Sequence, residues 1–246
     1  IIGTKKTNIS EIDEYLRLFD DATNKGAIGE ASPAYIYNHM APSLIKDILP
    51  DVKIIAILRQ PTDRAYSNFL HARRSGKEPI SNFFECIEEE ENRIKDNWSP
   101  LYHYIKKGFY TEQLERYYSI FPKDKIKVIL FEDIVNSPRE TINDIFRFLE
   151  VDSSQEIDFS NKANVSGDPK GMLGWTVKKM RFYNIMPTNS LSRLPSFMRS
   201  FLYKLAYYKP KKMDKDLRTK VTNRYYVNEI KKLEKIIDRD LSHWLG

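Results

Sequence analysis

Six consecutive residues, KIIAIL at positions 53–58, constrain this chain more than any others. They form a short apolar run rich in β-branched side chains, with Pro50-Asp51 shortly before it and Arg59-Gln60-Pro61 directly after. A run of that length between turn residues is a strand. Its lack of polar alternation predicts burial on both faces, as in a parallel sheet. KIKVILF at 125–131 predicts a second such strand. Helical periods cover 11–19 (with Ser10 as N-cap), 63–75, 81–96, 111–121 and 138–149. The last opens on Pro138, where a missing N–H costs nothing. Strands alternating with helices predict an α/β domain with a parallel core sheet. Beyond Asp152 the chain turns polar and then basic. Residues 160–170 read as a loop, 190–212 mix basic and aromatic residues, and 226–245 return to an amphipathic helix. No repeat or linker divides the 246 residues. One domain over 1–246 is expected, with 153–246 as a mainly helical layer.

Charge narrows the partners only slightly. Lys and Arg number 40 against 34 Asp and Glu, a net charge of +6. That suits an anionic nucleotide, a glycan, nucleic acid or a membrane surface. A single cysteine, Cys86, excludes an intrachain disulfide and a multi-cysteine zinc site. Glu88–Glu91 predict a solvated helix face rather than a metal site, because consecutive carboxylates on a helix diverge. No stretch approaches the length of a membrane span and no signal peptide is visible, so a cytoplasmic location is the default. The chain does not begin with Met, which leaves a preceding anchor or signal open.

The chemistry concentrates in LRQPTDRAYSNFLH, residues 58–71. In open α/β sheets ligands bind outside the carboxyl ends of strands, and Arg59 sits at such an end. Ser67 follows eight residues later on the next helix. An arginine fork and a hydroxyl converging on one point suit a phosphate monoester. The bland alternative is a surface helix with Arg64 in a salt bridge.

This segment resembles the 3′-phosphate-binding motif of sulfotransferases that use 3′-phosphoadenosine 5′-phosphosulfate (PAPS). GEASPAYIY at 29–37 is similar to the family segment carrying the catalytic carboxylate. Residues 106–152 resemble the family's second conserved block, and LEKIIDRDLSHWL at 233–245 its usual ending. The likeness covers most of the chain from Glu11 onward and lies nearest the heparan-type and bacterial branch. It implies a P-loop-like, three-layer α/β fold with a central parallel sheet flanked by helices. It also implies transfer of a sulfuryl group to a hydroxyl or amine, with no metal required.

By that resemblance, Arg59 and Ser67 hold the 3′-phosphate and Glu30 is the general base, provided partial burial raises its pKa. Without the family, Glu30 reads as a capping or salt-bridging carboxylate. Tyr110, in GFY, matches a block near the nucleotide or acceptor, and is equally readable as a core aromatic. Lys170 occupies the place of a family loop that closes over the 3′-phosphate, although the usual following Arg is replaced by Gly171-Met172. Trp175 is a stacking candidate or a buried aromatic. His39 and His71 are alternative bases ranked below Glu30. Ala31 stands where the glycan branch often has Lys, so an acceptor-side cation is missing or supplied elsewhere.

IIGTKK at 1–6 matches the first half of the family's 5′-phosphosulfate loop, with Lys6 as the motif lysine beside the transferring group. The expected Gly-Thr-Thr does not follow, and a discontinuity near Lys6–Thr7 is the expectation. The acceptor implied is a carbohydrate or glycoconjugate, and many glycan relatives are anchored in Golgi membranes. The competing reading is a basic nucleic-acid or polyanion-binding module. It leaves unexplained why Arg59 directly follows a buried strand. A phosphoryl-transfer kinase is disfavoured by the absence of G-x-x-x-x-G-K-[ST].

Overall fold

The computed structural model describes residues 12–22, 25–154, 157, 168–169, 207–208 and 212–246. Lys6, Lys170, Trp175, most of the 190–212 stretch and the Lys6–Thr7 junction lie outside the described residues, as do Ser10 and most of the 160–170 loop. In chain order the described elements begin with α1 (Ile12–Leu16), which tightens into a 3₁₀ turn at Arg17–Ala22. Helix α2 (Ala41–Ile48), strand β1 (Ile54–Leu58) and helix α3 (Pro61–Arg74) follow. Then come α4 (Phe83–Glu88), α5 (Glu90–Lys95), α6 (Tyr110–Tyr118), β2 (Ile126–Leu130), α7 (Phe131–Asn136) and α8 (Pro138–Leu149). A two-residue antiparallel pair, β3 (Asp168–Pro169) with β4 (Tyr207–Tyr208), precedes α9 (Lys215–Tyr225) and α10 (Val227–Ile237). Among the described residues no helix is long and apolar enough to cross a membrane.

The α/β class holds. β1 and β2 pair in parallel, Ile54 opposite Ile126 through Leu58 opposite Leu130. Ile54, Ala56 and Leu58 share one face of β1, and that face meets the core with α3, α6 and the C-terminal helices. On the other face α8 lies along β2, where Lys127 pairs with Asp144 at 2.6 Å. Burial on both faces of β1 is corrected: Ile57 is 55% exposed. Among the described residues β1 has one strand neighbour, and α8 covers the β2 side.

Other corrections concern element ends. The helix expected over 81–96 is interrupted at Glu89, which caps α4 and opens α5. The turn brings Glu90 inward, 3% exposed, where it accepts from the backbone N–H groups of Ile105 and Lys106. Glu88–Glu91 are therefore not a uniformly solvated face. The helix expected over 226–245 stops at Asp238, in the left-handed region at φ 51°, and a 3₁₀ turn at Ser242–Trp244 completes the chain. Helices α2 and α7 had no counterpart in the sequence expectations, and α9 falls where only a mainly helical layer was expected.

One core cluster joins these parts. It draws Phe69 and Ala72 from α3, Phe83 and Cys86 from α4, and Tyr110 and Leu114 from α6. The C-terminal layer adds Val221, Tyr226, Leu233 and Trp244. Gly108 is required by the closeness of this packing. A Cβ there would lie 2.6 Å from the Tyr226 hydroxyl oxygen and 2.8 Å from its ring.

Candidate active site

The carboxyl ends of β1 and β2 present Arg59 and Phe131 side by side, as their register dictates. The half-buried Arg59 guanidinium lies over the Phe131 ring, 5.0 Å from its centroid. That platform favours a cation and orients its fork at the sheet edge. The Arg59 carbonyl accepts the Tyr110 hydroxyl at 2.9 Å. Tyr110 itself is buried, 3% exposed, and burial raises its pKa against the charges of Arg64 and Arg59. It therefore meets Arg59 through the backbone and sits in the core. Ser67 is exposed on α3, at the end of its second turn.

The N-terminus of α3 is closed by its own sequence. The fully buried Gln60 caps it, its Oε1 accepting from Asp63 N at 2.7 Å. Its amide donates to Thr222 Oγ1 at 3.0 Å and to the Trp244 carbonyl at 3.1 Å. One orphan donor of the helix is thereby met, and Arg59 and Ser67 stand at the end of β1 and on the helix that follows it. Behind them Arg64 donates to the Tyr104 carbonyl, and its charge acts on the buried hydroxyls of Tyr110 and Tyr226. Arg64 is thus a half-buried hub, and the surface salt bridge weighed from sequence is not its role.

Glu30 lies in the irregular segment before α2 and is exposed, so the partial burial expected of a base is not present. Two phenols flank it. Tyr35 is pushed up to about 12 by burial, by its hydrogen bond to Glu30 and by that carboxylate's charge. Tyr15 is raised by burial and then by Glu30. The segment is docked by α6, where Tyr117 donates to the Tyr35 carbonyl at 3.0 Å. One helix thus serves both regions, Tyr110 at the Arg59 end and Tyr117 at the Glu30 end. These two share a face two turns apart, about 10 Å along the axis. His39 is exposed, and His71 Nδ1 lies 3.1 Å from Arg74.

Sequence reasoning missed Lys107. Its ammonium sits 5.7 Å from the Tyr37 ring centroid, and Tyr37 in turn hydrogen-bonds His103 Nδ1 at 2.7 Å. Burial, then the charge of Arg64, lowers Lys107 to about 8, with Glu90 opposing. The doublet Lys106-Lys107 carried no spacing signal that would separate it from a solvated pair. Among the described residues no group of His, Cys, Asp and Glu is arranged to hold a metal ion.

The family profile for the sulfotransferase domain matches residues 9–169. This chain belongs to the sulfotransferase family. The Mus musculus bifunctional heparan sulfate N-deacetylase/N-sulfotransferase 3 is 28% identical over 145 residues, 57% of this chain and 16% of that protein. The Drosophila melanogaster bifunctional heparan sulfate N-deacetylase/N-sulfotransferase is 25% identical over 222 residues, 88% of this chain and 19% of that protein. The crystal structure of a sulfotransferase from Alicyclobacillus acidocaldarius aligns with a TM-score of 0.70 at 28% identity, covering 97% of this chain and 75% of that one. This sulfotransferase domain thus spans under a fifth of the length of the two heparan sulfate relatives. Recognition from LRQPTDRAYS agrees with the family profile, the relatives and the crystal structure.

Proposed function

We propose that this sulfotransferase uses PAPS to sulfate a hydroxyl or amine on a glycan or glycoconjugate, releasing 3′-phosphoadenosine 5′-phosphate. The observation that carries the reading is Arg59, delivered by β1 to the sheet edge and backed by Tyr110. Arg59 and Ser67 bind the 3′-phosphate, with Lys170 as a further ligand, while Tyr110 supports Arg59 from beneath. Glu30 removes the acceptor proton. The acceptor lone pair forms the new bond to sulfur while the bond from sulfur to the 5′-phosphate oxygen breaks, its electron pair leaving with that oxygen. Lys6 neutralises the charge that develops there. The α6 spacing supports this division, because it holds the Glu30 and Arg59 regions apart on one rigid element. The heparan sulfate relatives favour a carbohydrate acceptor. Closure of the acceptor over Glu30 supplies the burial that the exposed carboxylate lacks.

The test is thermal stabilisation by 3′-phosphoadenosine 5′-phosphate against AMP and ATP. The 3′-phosphate should raise the melting temperature well beyond either control through mass action. Arg59→Ala should abolish that preference. Glu30→Gln should keep nucleotide binding and lose transfer. Absence of any 3′-phosphate preference in the wild type would dismiss the reading, and normal turnover in Glu30→Gln would dismiss Glu30 as base.

A further inference from the structure

We infer that the C-terminal helical layer positions the nucleotide motif, with Thr222 as the contact residue and Gln60 as the transmitting one. The inference rests on the reading of Arg59 as a 3′-phosphate ligand. Gln60 follows Arg59 directly, so whatever fixes its backbone fixes the direction in which β1 delivers the arginine. The Arg59–Gln60 peptide is held from two sides. Tyr110 of α6 takes the Arg59 carbonyl. On the other side the Gln60 side chain is fully buried, its oxygen on Asp63 N and its nitrogen shared between Thr222 Oγ1 and the Trp244 carbonyl.

The contact extends across the first turn of α3. Thr222, also fully buried, lies with its Oγ1 2.8 Å from Thr62 Oγ1. Arg218, one turn earlier on α9, donates Nε to both oxygens of Asp63 at 3.2 and 3.3 Å. Three of the four motif residues 60–63, Gln60, Thr62 and Asp63, therefore answer to α9 and the final turn, over sequence separations of 155 to 184 residues. An apolar side chain at position 60 would fill the same space. What the amide adds is direction, because a buried donor left without its acceptor is costly and only one orientation satisfies all three partners. Thr222 is a positioning residue in this scheme: it reaches the nucleotide only through Gln60 and Arg59.

The experiment measures the affinity of the full chain for 3′-phosphoadenosine 5′-phosphate and for AMP by calorimetry, together with the melting temperature without nucleotide. Thr222→Val removes the oxygen and keeps the branched shape. It should weaken the 3′-phosphorylated nucleotide about five- to tenfold, the scale of one lost hydrogen bond, and leave AMP unchanged. Thr222→Ser keeps the oxygen and should restore the preference to within about twofold. Gln60→Glu keeps the cap but turns an oxygen toward the Trp244 carbonyl, and should weaken the preference at least as much as Thr222→Val does. Gln60→Glu decides the matter if Thr222→Val does not fold. A lower melting temperature with the preference intact in these variants would overturn the inference and leave the proposed function standing. A wild type with no preference would remove both.

Discussion

Glu78 and Arg93 meet almost out of reach of water, 2% and 5% exposed. Arg93 forks onto both carboxylate oxygens at 2.6 and 3.0 Å, and the Tyr104 hydroxyl donates to one of them at 2.8 Å. Burial alone would raise the Glu78 pKa. Hydrogen bonds from Arg93, Cys86, Tyr104 and Ile80 N outweigh it and hold the carboxyl at about 2. Because this lies below its ordinary 4.5, the pair stabilises the fold above that value and loses its contribution as pH falls from about 4.5 toward 2. Glu78→Gln leaves a buried guanidinium without its counter-charge and should cost about 3–5 kcal/mol at pH 7. Its urea midpoint should also decline less steeply than the wild type between pH 4.5 and 2. A wild-type midpoint at pH 7 would show that the pair is not stabilising. Nothing in GKEPI separates Glu78 from a surface glutamate, since it lies in the loop between α3 and α4 and its partner is 15 residues on, in α5. The position of Arg59 was legible because it is local: a charged residue immediately after an apolar strand run. The exposure of Glu30 was not, because it depends on how residues 25–33 are held by Tyr35 and α6.

Helix α10 shows what an element requires at its end. Its last backbone turn passes through Asp238 in the left-handed region, at φ 51° and ψ 50°. A side chain there crowds the following carbonyl, and glycine relieves that strain at some cost in chain entropy. Asp238→Gly should therefore raise stability by about 0.5–1 kcal/mol, read as a higher urea midpoint with an unchanged slope. A lower midpoint would mean that the aspartate is held by contacts worth more than the strain. The same stop explains why a helix expected to run to 245 ends early: the apolar period continues through Leu241, but the chain has already turned. Strand positions and α3, α6 and α8 were readable because their apolar spacing is repeated over two or more turns, or because a proline fixes their start. Helices α2 and α7 have six to eight residues and adjoin other elements, too short for a period to declare itself. Helix α9 is polar enough that its burial of Val221 and Thr222 against α3 only emerges from the fold.

At the scale of the molecule, the proposal of a single domain has a thermodynamic consequence. Leu58 of β1, Phe69 of α3 and Leu114 of α6 share one buried cluster with Val221, Ile230, Leu233, Leu241 and Trp244 of the C-terminal layer. Burying a large apolar side chain is worth about 1.5–3 kcal/mol, so five such residues represent roughly 10 kcal/mol. That is comparable to the whole stability of an ordinary domain, about 5–15 kcal/mol, so neither part should survive release of the other. Heat unfolding should then follow one transition, with far-ultraviolet and near-ultraviolet signals coincident. Trp244 is 1% exposed, and Trp244→Ala should cost about 3–5 kcal/mol. For a chain this long that lowers the one midpoint by about 6–20 °C and leaves its cooperativity intact. The alternative outcome is separable. If the variant showed an early partial transition followed by a second one at the wild-type temperature, the C-terminal layer would be a unit of its own. In that case the motif at Arg59 would be held by its neighbours in the first 154 residues alone.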